Sequence, residues 1–381
     1  MTNMDLKKRL VIATDSFLPR WDGIARFIQD IVPELARDFQ ITIIAPDFKG
    51  EYTPPENVRV VRVPLSKLPT FGDYQFAEFA NKEIEHEIES AEILWTQTTG
   101  PVSSSAIKFA QKHRVRYVSY VHSIDWTLAK RALGKSIFKH VAEAVAKRHV
   151  LKLFNQAKLI MVPSNEVREI LRWYGIHTQI SLAPLGIDTT RFVPAISTRE
   201  SKKEIGLDPN SPVIGYVGRI GYEKNLLTLF EAYKRLKREF ANLTLLIVGD
   251  GVKEIKKELS SDDSVHLIGS QNNVVPYLQA MDMHVLPSYL ETTSLVTLEA
   301  MSCEVPVIST PVGLVKEYVK EKENGLLFPQ ENSLVLSLKM KWVLENPSKA
   351  KQMAKNGRDT VLLYYEWSNT VEKMRTILLN F

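Results

Sequence analysis

Two glutamates with seven residues between them are the first candidates for chemistry in this sequence. Glu291 and Glu299 lie in the stretch YLETTSLVTLEAMS, where a strand pattern ends and a helix is expected from about Ser294 to Ser302. Ser294 is a plausible N-cap, so free backbone N–H groups would lie beside Glu291. Two carboxylates in this arrangement suit a ligand with two sets of hydroxyls. An exposed loop acid and a helix acid paired with a lysine remain the alternative.

A second candidate is the stretch Gly215–Asn225, with the sequence GYVGRIGYEKN. Glycines such as Gly218 let a ligand approach the backbone, and Arg219 and Lys224 flank the turn before a helix. A helix N-terminus with two cations fits a diphosphate. The glycine spacing differs from that of a dinucleotide-binding loop, and no P-loop lysine follows. An ordinary strand-to-helix turn would have similar residues.

Two further candidates follow strands in the first half. The loop Asp15–Ile24 leads to a helix expected over Ile24–Asp38, with Gly23 just before its N-terminus. It would place its backbone against phosphate, or it is a plain connecting turn. His122 closes the predicted strand Arg116–His122, with Asp125 three residues later. The carboxyl end of a strand is where α/β active sites lie, although a structural histidine is equally compatible with this position.

The elements that position these residues are short Val/Ile/Leu strands alternating with amphipathic helices. This pattern predicts an α/β chain with parallel sheets, each binding ligands at the carboxyl ends of its strands. The alternation restarts after the polar stretch Val193–Pro212, so 381 residues would form two doubly wound halves. The expected strands are 9–14, 40–45, 58–63, 92–97, 116–122, 158–163, 213–217, 243–248, 265–269, 284–287 and 305–310.

Composition excludes several classes of protein. Hydrophobic residues make up 44% and charged residues 24%, which is typical of a globular chain. No apolar run is long enough to span a membrane. The single cysteine, Cys303, excludes a disulfide framework and favours a reducing cytoplasm.

The segment 128–158 is strongly basic. It contains eight Lys and Arg residues against one acid, Glu143, for a net +7, whereas the whole chain has +5. Apolar residues between the cations make it amphipathic, which is typical of a helix on an anionic membrane surface. A solvated face opposite a core face is the alternative, and no nucleic-acid-binding module is recognisable.

Taken together, these motifs resemble retaining glycosyltransferases of the GT-B fold, in glycosyltransferase family 4. The resemblance covers nearly the whole chain and implies two Rossmann-like domains facing a cleft. The matching segments are Glu291-x7-Glu299 with Ala300-Met301 and Val305–Ile308; Gly218-Arg219 with Glu223-Lys224; Pro184–Asp188 with Phe192 and Pro194; Phe17, Pro19 and Gly23; and Asn324–Leu327.

The resemblance implies a role for each matching residue in the second half. Glu299 would accept hydrogen bonds from the donor ribose, and Glu291 from hydroxyls of the transferred sugar. Arg219, next to the donor-binding Gly218, and Lys224 would neutralise the departing diphosphate. Backbone N–H groups would contact sugar hydroxyls at Thr293, Ser294 and Leu295.

In the first half, the resemblance gives Gly23 a backbone contact to the same phosphates and His122 a place beside the sugar. No protein nucleophile, metal or cofactor is expected. The acceptor proton would pass to the leaving phosphate.

Two departures from the family pattern bear on this site. Thr292, Thr293 and Ser294 replace the usual glycines after the first glutamate, which leaves the identity of the donor sugar open. Glu304 replaces a glycine at the end of the helix, and a positive φ there would cost about 1 kcal/mol.

The expected domains are an acceptor-binding domain, 1–192, to which 366–381 returns, and a nucleotide-sugar-binding domain, 193–365. The predicted function is transfer of a hexosyl unit from a UDP- or GDP-sugar to a hydroxyl of a membrane lipid or lipid-linked saccharide. The expected location is the cytoplasm, peripheral on the inner face of the membrane if the segment 128–158 binds lipid. The alternatives are a sugar-nucleotide epimerase, a phosphorylase or a non-catalytic binding protein.

Overall fold

Short runs rich in Val, Ile and Leu form parallel strands in both halves of the chain, as the alternating pattern predicts. A computed structural model describes residues 7–20, 22–67, 75–79, 82–124, 126 and 139–381. The chain divides into unit 1, which is Met1–Ala183 with Val371–Phe381, and unit 2, which is Pro184–Thr370. The boundaries expected after residues 192 and 365 stay predictions.

Unit 1 contains a parallel sheet of seven strands among its described residues. In chain order they are β1 Lys8–Ala13, β2 Phe39–Pro46, β3 Val58–Val63, β4 Ile93–Thr96, β5 Arg116–Tyr120, β6 Leu159–Val162 and β7 Ile180–Leu182. Their order in the sheet is β3-β2-β1-β4-β5-β6-β7, so the chain starts in the middle and winds outward twice. Ligands bind such sheets near the point where the winding reverses, beside β1 and β4.

The described helices of unit 1 carry apolar residues toward this sheet. They are α1 Gly23–Leu35, α2 Lys82–Glu89, α3 Pro101–His113, α4 Lys139–Gln156 and α5 Asn165–Trp173. The strands are buried: Leu10, Ile12 and Ile43 are inaccessible to solvent. Burial on both faces explains why the strands have continuous rather than alternating apolar sequences.

Unit 2 repeats this arrangement with six parallel strands. They are β8 Val213–Val217, β9 Thr244–Val248, β10 Val265–Gly269, β11 Met283–Leu286, β12 Val307–Ser309 and β13 Leu326–Leu327, and their order is β10-β9-β8-β11-β12-β13. Its helices are α6 Thr198–Glu204, α7 Leu226–Lys237, α8 Lys253–Leu259, α9 Val275–Gln279, α10 Leu295–Ser302, α11 Val315–Tyr318, α12 Ser333–Glu345 and α13 Pro347–Tyr364. The winding reverses between β8 and β11, the two strands that lead to the candidate residues. The α/β doubly wound architecture is therefore confirmed.

The polar stretch Val193–Pro212 contains a helix, α6, which its composition concealed. Ser197 caps this helix by accepting a hydrogen bond from Glu200 N at 3.3 Å. Lys202 is buried, and its ammonium contacts Asp282 Oδ2 at 2.7 Å. The charge of this buried lysine is balanced by an acid far away in the sequence. A helix that packs in this way can therefore be as polar in composition as a linker.

The last helix, α14 Trp367–Leu379, contains residues of both units. Thr370 in unit 2 donates its hydroxyl to Pro184 O at 3.0 Å. In unit 1, the Arg375 guanidinium binds both carboxylate oxygens of Asp38 at 2.6 and 2.8 Å. Along the described parts of the chain, no helix combines the length and apolarity needed to cross a bilayer.

Candidate active site

The turn after β8 is held against the turn after β9 by direct backbone contact. Gly218 N donates to Val248 O at 2.9 Å, and Ile220 N donates to Asp250 O at 2.8 Å. A Cβ on Gly249 would lie 1.9 Å from Gly218 O, so no larger residue fits at that position. The turn that carries the two candidate cations is therefore rigidly placed at the carboxyl end of the sheet.

The two cations, Arg219 and Lys224, contact different carboxylates. The Arg219 guanidinium pairs with Glu223. Lys224 ends a single 3-10 turn, and its ammonium contacts Glu291 Oε1 at 2.7 Å. The structure thus brings Lys224 and Glu291 together, although they lie in different loops.

The loop after β11 holds Glu291 from several sides. Ser288 donates its hydroxyl to Glu291 Oε1 at 2.7 Å. A Cβ on Gly313, at φ +52°, would lie 2.1 Å from Glu291 O, so this glycine permits close backbone packing. Tyr289 N donates to Glu223 O at 2.8 Å and joins this loop to the turn after β8. These contacts fix the Glu291 carboxylate before any ligand binds.

Two of the residues that replace the family's glycines, Thr293 and Ser294, are buried beside the start of α10. Ser294 precedes α10 in the left-handed region, at φ +57°, and makes no side-chain cap to the helix. Its hydroxyl lies 2.9 Å from that of Thr297 instead. The Thr293 hydroxyl is buried without a hydrogen-bond partner among the described residues. Thr297 N donates to Ser294 O at 3.1 Å, but the Ser294 side chain caps none of the backbone N–H groups at the start of α10, which begins with Leu295.

Glu299 lies inside α10, and its side chain is buried. Burial, together with the nearby Glu299 carboxylate, raises the pKa of the Cys303 thiol to about 12. Glu304, which follows this helix, has φ +54°, so the strain expected at a non-glycine residue is present.

In unit 1, His122 lies two residues beyond the end of β5 rather than within the strand. Its Nε2 is 2.9 Å from Gln97 Oε1, and its ring contacts Phe27 and Tyr120 at centroid distances of 5.1 and 4.5 Å. Burial lowers the pKa of His122 to about 3, so the ring is neutral at physiological pH. A neutral imidazole in this position can exchange hydrogen bonds with hydroxyls.

Gly23 is the first residue of α1, and Asp22 caps that helix. The Asp22 carboxylate accepts hydrogen bonds from Ile24 N and Ala25 N, both at 2.9 Å. Among the described residues, and leaving aside its chain neighbours and its own helix backbone, no atom lies within 4 Å of a Cβ built on Gly23, so its backbone is approachable. The loop therefore presents Gly23 beside a fixed negative charge that the sequence argument did not consider.

Sequence reasoning missed Gln97 and did not consider Asp15 as a site residue. Gln97 and Thr98 follow the buried strand β4, and polar residues at that position were an available signal. Asp15, after β1, accepts hydrogen bonds from Thr98 Oγ1 at 2.5 Å and Val102 N at 2.7 Å. Burial nevertheless raises the pKa of this carboxyl above its usual value. Asp125 and residues 128–138 of the basic segment lie outside the described residues.

Comparison with known proteins identifies both halves of the chain. Residues 21–191 match Glycosyltransferase Family 4, and residues 197–360 match Glycosyl transferases group 1. The chain is 24% identical over 347 residues to alpha-monoglucosyldiacylglycerol synthase of Streptococcus pneumoniae, which covers 86% of this chain and 76% of that protein. It is 25% identical over 395 residues to GDP-mannose-dependent alpha-(1-6)-phosphatidylinositol monomannoside mannosyltransferase of Mycolicibacterium smegmatis, covering 97% and 98%.

A solved structure supports the fold. HepE from Anabaena, determined in complex with UDP and glucose, superposes with a TM-score of 0.79 at 17% identity and covers 98% of this chain and 100% of that one. With its two doubly wound parallel sheets and matches in both halves, the chain belongs to the GT-B glycosyltransferases, with a Glycosyltransferase Family 4 half followed by a Glycosyl transferases group 1 half.

Proposed function

We propose that this glycosyltransferase moves a hexosyl unit from a UDP- or GDP-sugar to a hydroxyl of a membrane lipid or lipid-linked saccharide, with retention of anomeric configuration and without a metal. The contact between Lys224 and Glu291 carries the proposal. It places a cation that can bind phosphate beside a carboxylate that can accept hydrogen bonds from sugar hydroxyls. The relatives whose names refer to lipid products and GDP-mannose support the substrate classes.

The donor would be bound by charges that the fold has already placed. The Lys224 ammonium has three N–H donors and Glu291 Oε1 accepts one, so the others can bind phosphate oxygens. Arg219, nearly half exposed, would supply a second cation as negative charge develops on the leaving diphosphate. Uncapped N–H groups at the start of α10 would bind hydroxyls or phosphate, and Glu299 would bind the ribose.

In unit 1, we assign neutral His122 a contact to the transferred sugar and the Gly23 backbone a contact to phosphate. Gln97 would orient the imidazole through its hydrogen bond. We further propose that the acceptor proton passes to the leaving phosphate, so that no side chain serves as nucleophile.

A membrane-bound acceptor is supported by the outward face of α4. Val141 and Val145 are 61% and 65% exposed, and Arg148 and Lys152 continue the same face of the helix. Trp173, at the end of α5, is 86% exposed. Exposed apolar side chains among cations suit the headgroup region of an anionic bilayer. We therefore propose a cytoplasmic protein that attaches peripherally to the inner face of the membrane.

The test is transfer of labelled sugar from UDP- and GDP-linked donors to lipid extracts, in the presence of EDTA. Glu291→Gln and Lys224→Met should each reduce turnover by roughly 100-fold or more, because each removes a contact to the donor. Lys341→Met is the matched control, since Lys341 also pairs with a glutamate, Glu239, on the surface of unit 2.

Three outcomes would contradict the proposal. Unchanged turnover in Lys224→Met would remove the site assignment, and loss of activity in EDTA would refute metal independence. A product with inverted anomeric configuration by NMR would refute retention. An epimerase would instead convert the donor without any acceptor.

A further inference from the structure

A second cationic cluster lies at the carboxyl edge of the unit 1 sheet, and it includes residues of the loop that leads to Gly23. Its centre is Arg62, the next-to-last residue of β3. The Arg62 guanidinium lies over the rings of Phe17 and Tyr52, at 5.5 and 6.0 Å from their centroids. These rings pack edge to face at 5.0 Å, so the guanidinium is held in one place.

The Arg62 guanidinium has few protein partners. It donates through Nη1 to Pro46 O at 3.1 Å, which uses one of its five N–H groups. Among the residues that the structure describes, no carboxylate lies within ion-pair distance of it. Burial lowers the pKa of Arg62, and the nearby charge of Asp47 offsets this only in part. A half-buried cation without an ion pair is unfavourable unless an anion completes it.

A second guanidinium belongs to the same loop cluster. Arg20 lies over the ring of Phe48 at 5.7 Å, and its Nε is 4.0 Å from the Asp22 carboxylate, so part of its charge is already paired. Phe48 N donates to Pro46 O at 3.1 Å, the same oxygen that accepts from Arg62. The segment 48–52 therefore carries two aromatic rings, each with a guanidinium on it. A Cβ on Gly50 would lie 2.9 Å from Pro19 Cγ, so this segment also packs closely on the loop that precedes α1.

We propose that Arg62, with Arg20, binds a phosphate ester of the acceptor substrate. This inference rests on the proposed function, because it assigns the acceptor side of the same reaction. The planar fork of a guanidinium matches two phosphate oxygens, and the rings beneath it fix that fork in place. The position also fits, because the carboxyl ends of parallel strands are where ligands bind to such sheets. The phosphate could belong to a lipid headgroup or to a soluble sugar phosphate.

The binding test uses the full chain, with glycerol 1-phosphate as the probe and titration calorimetry as the measurement. Saturating UDP, and separately the Lys224→Met background, keeps the probe away from the donor site. Arg62→Gln should weaken binding at least about tenfold, which is the effect expected for loss of a charge-assisted contact. Arg37→Gln is the matched control, because Arg37 is an exposed unit 1 arginine paired with Glu34.

Arg62→Lys tests whether the fork matters, and it should bind more weakly than the wild type despite its unchanged charge. Binding of the wild type to phosphatidylglycerol vesicles that also requires Arg62 identifies a lipid phosphate. Arg62-dependent binding of glycerol 1-phosphate alone identifies a soluble ester. If neither probe depends on Arg62, the inference is wrong. UDP affinity should be equal in the wild type and Arg62→Gln, so a failed donor site would be recognised separately.

Discussion

At the scale of single residues, Glu304 has a strained backbone conformation that a substitution can relieve. Replacing Glu304 by glycine should raise the free energy of unfolding by about 1 kcal/mol, because φ +54° is unfavourable for a residue with a Cβ. The melting temperature should rise by about 2–4 °C in calorimetry. Glu304→Ala removes the same carboxylate but keeps the Cβ, so an equal gain in that variant would show that strain is not the cause.

His284 provides a prediction about acid stability. It is buried in β11, and neither ring nitrogen has a hydrogen-bond partner among the described residues. Burial lowers the pKa of His284 from 6.5 to about 3. Below pH 6.5 His284 is protonated in the unfolded chain but stays neutral in the folded chain. The free energy of unfolding therefore falls as the pH falls toward 3. Between pH 7 and pH 5 this amounts to about 2 kcal/mol.

His284→Leu should therefore lose less stability than the wild type between pH 7 and pH 5, as measured by urea unfolding. His122 is neutral for the same reason and will contribute its own acid sensitivity to unit 1. Equal losses in the wild type and His284→Leu would mean that His284 is not the titrating group.

The candidate site shows which residue-level features a sequence can reveal. Glu291, Arg219 and Lys224 could be named because their types and spacing belong to motifs. The Lys224–Glu291 contact could not, since it depends on how the turns after β8 and β11 pack. Arg62 was missed because nothing near it in sequence shows that Phe17 and Tyr52 lie beneath it.

At the scale of elements, the outward face of α4 predicts binding to anionic membranes. Each cation near such a surface contributes on the order of 1 kcal/mol, so Arg148→Glu with Lys152→Glu should reduce vesicle binding at least about tenfold at low salt. Trp173→Ala should also weaken binding, because an exposed tryptophan suits the headgroup region.

The control for this experiment lies on another helix. Lys351 and Lys355 of α13 are exposed and four residues apart, like Arg148 and Lys152. Reversing their charges should leave co-sedimentation with phosphatidylglycerol vesicles nearly unchanged. If both double variants lose binding equally, the attraction comes from net charge rather than from α4.

Strands within longer apolar runs were predictable, whereas the short edge strands β7 and β13 were not. Strands such as β3 and β8 have the residues expected, Val58–Val63 and Val213–Val217, because continuous apolar runs indicate a buried strand. The edge strands β7 and β13 have three and two residues and were not expected. Neither segment is long enough to show a periodic pattern of its own, and each is recognised as a strand by its pairing with a neighbour.

At the scale of the whole molecule, the end of the chain helps to hold unit 1 together. Arg375 binds Asp38 through two hydrogen bonds, and Lys8 Nζ donates to Leu379 O at 2.8 Å. Arg375→Ala should increase amide hydrogen exchange in α1 and β2, and leave the exchange of unit 2 strands unchanged. Lys373→Ala, on the exposed side of the same helix, serves as the control. Equal protection in both variants would show that the ion pair does not stabilise unit 1.

The division of the chain into two units has a consequence for folding during synthesis on the ribosome. All of unit 2, from Pro184 to Thr370, emerges before the last residues of unit 1 are made. Unit 2 can therefore fold during synthesis while unit 1 still lacks the C-terminal segment that carries Arg375. Although its first strands are synthesised earliest, unit 1 can form its Arg375–Asp38 contact only after all of unit 2 has been synthesised.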